Sequence, residues 1–96
     1  MTRKRSSLEI DFYILRVLGK HPYGPTKLMY RANLSWLPLK ERLSLLMNMG
    51  FVSETSLSKG RKVYGLTERG EEALRRFHQL KSFLRSCKDG PLHQAV

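Results

Sequence analysis

The side chains best equipped for chemistry in this chain are cations, and they fall into three groups. Lys40, Glu41 and Arg42 follow closely on Ser35, Leu37 and Pro38. Lys59, Arg61 and Lys62 form a second group, and Lys27 with Thr26 and Tyr30 a third. Ammonium and guanidinium groups neutralise phosphates and release their counterions, and a guanidinium can also hold guanine with two hydrogen bonds. Composition points the same way. Lys and Arg number 18 against 8 Asp and Glu in 96 residues, a formal charge of +10 with a pI near 10.3. Such an excess favours polyanionic partners without choosing among them.

Groupings suited to catalysis are absent from the pattern. His21, His78 and His93 stand apart, without the spacing of metal ligands. No nucleophile elbow, phosphate-binding glycine loop or paired-carboxylate motif occurs. Glu68, Glu71 and Glu72 fit the first turns of a helix, where the macrodipole favours acids without any function. The chain is therefore expected to be no enzyme and to use no metal, cofactor or small-molecule ligand. One cysteine, Cys87, excludes an intrachain disulfide framework and indicates a reducing, cytoplasmic setting. Glu9, Asp11 and Arg16 interrupt what would be the apolar part of a signal peptide. No run approaches the roughly 18 apolar residues of a membrane span.

The elements that must position the cations are marked by local signals. Ser6-x-x-Glu9 is a capping-box pattern that starts a helix near Ser6 or Ser7. Leu8, Phe12, Leu15 and Leu18 then form a one-sided stripe, and Gly19 stops it. Pro25 suits the first position of a second helix. There Leu28 and Ala32 face inward, while Thr26, Lys27 and Tyr30 face outward. Asn33 tolerates the positive φ of a tight turn. Ser35 is a natural cap for a third helix over 35–49, with Trp36, Leu39, Leu43, Leu46 and Met47 on its inner side. Gly50 ends that helix. Two short strands, 51–55 and 61–66, flank a loop at 56–60, so Lys59, Arg61 and Lys62 crowd the tip of a hairpin. A last helix runs from about Glu68 to Cys87. Its residues Ala73, Phe77, Leu80, Leu84 and Cys87, spaced four, three, four and three, make a two-heptad seam.

Helix, turn, helix and charged hairpin, in that order, can set one helix in a DNA major groove with a loop beside it. The text is more specific than the order. Met29-Tyr30-Arg31-Ala32-Asn33-Leu34-Ser35, Leu39-Lys40-x-x-Leu43-x-x-Leu46, Gly50-Phe51-Val52 and Tyr64-x-Leu66-Thr67-x-x-Gly70 resemble the archaeal winged helix-turn-helix family of small chromatin-associated proteins and transcription regulators. The likeness covers Ser7 to Gly70, about two thirds of the chain. It implies that the helix starting at Ser35 is the recognition helix, that the hairpin is the wing, and that the last helix makes a dimer, often as an antiparallel coiled coil. Pro38 within the recognition helix and the shortness of the last helix depart from the family pattern.

The expected architecture is a mainly helical winged helix: a basic, flexible arm at 1–6, the domain at 7–67, a dimerisation helix at 68–88 and a disordered tail at 89–96. The expected function is sequence-specific transcription regulation by a homodimer on double-stranded DNA, in the cytoplasm and on the nucleoid. The recognition helix 35–49 would enter the major groove, and the wing 56–62 would lie on the backbone or minor groove. Lys40 and Arg42 are the residues expected to reach phosphate or base edges, with Glu41 reading cytosine or holding Arg42. Thr26, Lys27 and Tyr30 are expected on the DNA backbone. Leu80, Phe83 and Leu84 would be left exposed without a partner, which favours the dimer. An architectural chromatin protein and a protein–protein adaptor remain as alternatives.

Overall fold

A computed structural model describes residues 6–88, apart from the side chains of Cys87 and Lys88. The expectations for the arm Arg3-Lys4-Arg5, for His93, for the tail at 89–96 and for the Cys87 thiol lie outside that description. The described residues form α1 (Ser7–Leu18), α2 (Pro25–Ala32), α3 (Trp36–Asn48), β1 (Val52–Ser56), β2 (Lys62–Leu66) and α4 (Glu68–Lys88). This is the expected winged helix.

Each boundary has a local cause. At the head of α1 the Ser6 hydroxyl accepts from the Glu9 amide at 3.1 Å, while the Glu9 carboxylate accepts from the Ser6 amide at 2.9 Å. Two of the orphan amides of the helix start are thereby satisfied. Pro25 opens α2, and Asn33 closes it in the left-handed region at φ 57°. The amide of Leu34 then donates to the Met29 carbonyl at 3.1 Å, so the chain turns sharply into α3. Pro38 falls in the first turn of α3, where its missing N–H breaks no helical bond. Ser35 does stand at the N-cap of α3, but its side chain makes no capping hydrogen bond. Past the end of α3, Gly50 takes a φ of 81°, which a side chain would resist.

The strands pair antiparallel, with Val52 opposite Leu66 and Ser56 opposite Lys62. A single 3-10 turn at Ser58–Gly60 joins them, with Lys59 itself left-handed at φ 64°. The wing is fastened to the body at the middle of β2. Tyr23 and Tyr64 exchange backbone hydrogen bonds of 3.0 and 2.8 Å.

Thr67 joins the wing to α4. Its hydroxyl donates to the Gly50 carbonyl at 2.5 Å and accepts from the Gly70 amide at 2.9 Å, while its own amide donates to the Phe51 carbonyl at 3.0 Å. Gly70 passes so close to Phe51 that a β-carbon there would lie 2.1 Å from the Phe51 carbonyl oxygen. The Thr67-x-x-Gly70 motif is thus a cap combined with a close helix approach.

Ile14, Leu15, Leu28, Leu39, Leu43 and Leu46 are fully buried at the centre, and Tyr23, Val52 and Tyr64 close the core on the wing side. One expectation about α1 needs correction. Leu8, placed on the core stripe, is 55% exposed because α1 begins beyond the body of the domain. Asp11 occupies the inner face instead, as the buried charged residue among those described.

Candidate nucleic-acid interface

The helix-turn-helix places α2 and the head of α3 side by side. Thr26, Tyr30 and Ser35 line one surface hollow there with Met29, Asn33 and Leu34. Thr26, Lys27 and Tyr30 are exposed, Tyr30 at 88%. On α3 the residues Leu37, Lys40, Glu41 and Ser44 are spaced at three, four and seven, which sets them on one face. All four are exposed, and they line a second hollow with Arg42 and Leu45. Pro38 is exposed beside them. Thr26, Tyr30 and Ser35 thus share one hollow, and Leu37, Lys40, Glu41 and Arg42 share another.

Arg42 is the correction. Its Nε donates to Asp11 Oδ1 at 2.8 Å and its Nη2 to Asp11 Oδ2 at 2.7 Å. The paired side chains are only 22% and 9% exposed. This two-bond fork is the geometry that would otherwise grip guanine, and Asp11 uses it up. Hydrogen bonding to Asp11 holds the guanidinium pKa above its ordinary value, against the opposing effect of burial. Arg42 thus fastens α3 to α1. Glu41 does not hold it, since its partner is Asp11. One signal pointed to this: Asp11, Leu15 and Leu18 are spaced four and three, which sets an acid in line with core positions and calls for a buried cation.

The wing cations form a separate group. Lys59 sits on the 3-10 turn and Arg61 just before β2, both exposed. Lys62 lies within β2, its Nζ 3.4 Å from the Glu54 carboxylate, so its charge is partly answered. Glu54 also accepts from the Tyr64 hydroxyl at 3.2 Å. Burial, followed by the nearby Glu54 charge, pushes the Tyr64 hydroxyl above the ordinary tyrosine range.

The seam on α4 divides in two. Ala73 and Phe77 are half-buried against the domain, and Phe77 meets Phe12 with ring centres 5.4 Å apart. Leu80, Phe83 and Leu84 are exposed at 48, 63 and 55%. Leu80 and Leu84 line a groove with Leu8, Phe12, Tyr13 and Phe77. Phe12 is also the meeting point of three basic side chains that the sequence reading missed. Lys81 and Arg16 lie 4.9 and 5.8 Å from its ring centre, and His78 meets it edge-on at 5.2 Å. His21 hydrogen-bonds the Pro22 carbonyl at 2.6 Å and packs on Tyr23.

The chain is similar to known proteins. The chain is 29% identical over 83 residues to an uncharacterised protein of Methanocaldococcus jannaschii, covering 86% of this chain and 80% of that one. A second uncharacterised protein of the same organism is 31% identical over 77 residues, and there the match takes 80% of this chain but only 34% of the longer relative. Among solved structures, Sso10a-2, a DNA-binding protein from Sulfolobus solfataricus, superposes with a TM-score of 0.69 at 27% identity. That match covers 88% of this chain and 90% of the other. The family model described as winged helix-turn-helix matches residues 4–85, most of the chain and all of the elements above through the greater part of α4. This chain belongs to the winged helix-turn-helix family.

Proposed function

We propose that this chain binds double-stranded DNA as a homodimer and regulates transcription from preferred sites, in the cytoplasm and on the nucleoid. The observation that carries the reading is the exposed face of α3, with Leu37, Pro38, Lys40 and Glu41 presented beside Thr26, Lys27 and Tyr30 of α2. A helix held out on a rigid helix-turn-helix, in a chain of charge +10, is shaped and charged for a major groove. The DNA-binding description of Sso10a-2 supports it. In this reading 7–67 is the binding domain and α3, framed by 35–49, is the recognition helix. Lys40 reaches phosphate or base edges, Thr26, Lys27, Tyr30 and the Ser35 hydroxyl meet backbone, and the wing at 56–62 adds Lys59, Arg61 and Lys62. Arg42 is left out of this set because Asp11 occupies it.

The two groups have different signatures. Lys40→Ala lowers affinity for a selected site more than for random duplex. Replacing Lys59, Arg61 and Lys62 together with alanine weakens binding to every sequence. It also reduces the slope of log affinity against log salt by about two, with Lys62 contributing less than a full phosphate contact because of Glu54. Fluorescence anisotropy across a salt series measures both. Unchanged affinity and slope in both variants would overturn the assignment.

The Asp11–Arg42 pair favours one second reading. With its guanidinium withheld, α3 has a thin hydrogen-bonding vocabulary, as suits an architectural protein of weak sequence preference. A ratio near one between selected and random duplex, at a single salt concentration, would establish that role.

The dimer rests on α4, here the dimerisation helix of 68–88. Leu80, Phe83 and Leu84 expose a continuous apolar stripe beyond the part of the helix that Ala73 and Phe77 anchor, and Cys87 continues the spacing. Leu84→Asp is expected to give a folded monomer by light scattering with unchanged helicity. A variant that stays dimeric would move the interface elsewhere.

A further inference from the structure

Resting on the DNA-binding reading, we infer that Leu37, with Pro38 beside it, reads the 5-methyl group of thymine in the major groove. Leu37 is the second residue of α3 and is 72% exposed. Its neighbours do the packing: Trp36 is half-buried against the core and Leu39 is fully buried. The fold has no use for an apolar side chain at 37. The next residue, Pro38, adds more exposed carbon and has no N–H to offer. The first turn of α3, the part that enters a major groove deepest in this motif, therefore presents carbon surface where a polar reader would be expected.

Two further features sharpen the point. Arg42, the guanidinium of α3, is held by Asp11 and does not reach outward as the usual reader of guanine. Glu41, one turn beyond Leu37 on the same face, repels phosphate and can only accept a hydrogen bond. Lys27 and Lys40, both exposed, supply the attraction to the backbone that brings the face into the groove.

Major-groove base edges are almost wholly nitrogen and oxygen, and the thymine methyl is their apolar exception. A leucine pressed on guanine, cytosine or adenine strips water from polar atoms and gives them no partner. On thymine it buries a methyl. Leu37 thus selects for thymine and against the other bases.

The test needs no operator sequence. Two duplex polymers of equal length, alternating dA-dT and alternating dA-dU, differ in the 5-methyl group. Binding of the whole chain to each is measured at one salt concentration. One buried methyl is worth about fourfold in affinity, so the dA-dT polymer should bind about fourfold more tightly, or about fifteenfold if both protomers engage. Leu37→Ser, at an exposed position that leaves the core intact, should bring the two affinities within about twofold of each other. Tight but equal binding of both polymers by the unaltered chain overturns the methyl reading and leaves DNA binding standing. So does a preference that persists undiminished in Leu37→Ser. Failure to bind either polymer at low salt overturns the DNA-binding reading and this one with it.

Discussion

Gly70→Ala is expected to destabilise the fold by about 3 kcal/mol or more, although alanine is the better helix former by about 1 kcal/mol. The added methyl carbon would sit 2.1 Å from the Phe51 carbonyl oxygen and 2.7 Å from a Leu66 methyl. A leucine tip can move, but a backbone carbonyl cannot without disturbing what it holds. The Phe51 oxygen accepts from the Thr67 amide, and the Thr67 hydroxyl bridges Gly50 to Gly70. Shifting α4 outward to admit the methyl therefore breaks the cap of the same helix. Urea unfolding followed by circular dichroism measures the effect, and a midpoint equal to that of the parent would show that the approach relaxes freely. A change this large is a substantial part of the stability of a domain of this size.

Breaking the Asp11–Arg42 pair has the second largest expected effect, and the two halves of the pair are not equivalent. Arg42→Met leaves a carboxylate, only 9% exposed, without its cation and too short to reach water. The expected loss is about 3 kcal/mol. Asp11→Ala costs less, about 2 kcal/mol, because the longer arginine, 22% exposed in the pair, can swing outward. Replacing both by apolar residues of similar volume, as in Asp11→Leu with Arg42→Met, should recover most of the stability, since neither charge is then stranded. Thermal unfolding of the three variants checks the ordering. Equal small losses in both single variants would mean that the pair is solvated and contributes little.

The contrast between these two features shows what the chain revealed before folding. Ser6-x-x-Glu9, Pro25 and Asn33 were readable because each acts within a few residues, where spacing alone sets geometry, whereas Thr67-x-x-Gly70 was recognised only through its resemblance to a family motif. The outward set on α2 and the inner stripe of α3 followed from helical periodicity. Asp11 and Arg42 lie 31 positions apart, and their meeting depends on how α1 crosses α3. Residue type made Arg42 look like a DNA reader; tertiary packing gave it an internal partner. The contact of Lys62 with Glu54 was hidden for a related reason, since it depends on the register in which the two strands pair. Leu8 looked like core because a periodic stripe does not say where the body of the domain ends.

The fastening of the wing has a mechanical consequence. Backbone hydrogen bonds between Tyr64 and Tyr23 clamp the strand at its middle, only two residues ahead of the start of α2. The far end, by contrast, is a single exposed turn around Lys59. The hairpin then behaves as a cantilever: soft at the tip, stiff where it joins the body. A force applied at Lys59 or Arg61 is absorbed first by the turn, and any remainder passes through Tyr64 into the segment that aims α2. The wing and the start of α2 are therefore joined through one backbone bridge, the path by which a load on either reaches the other.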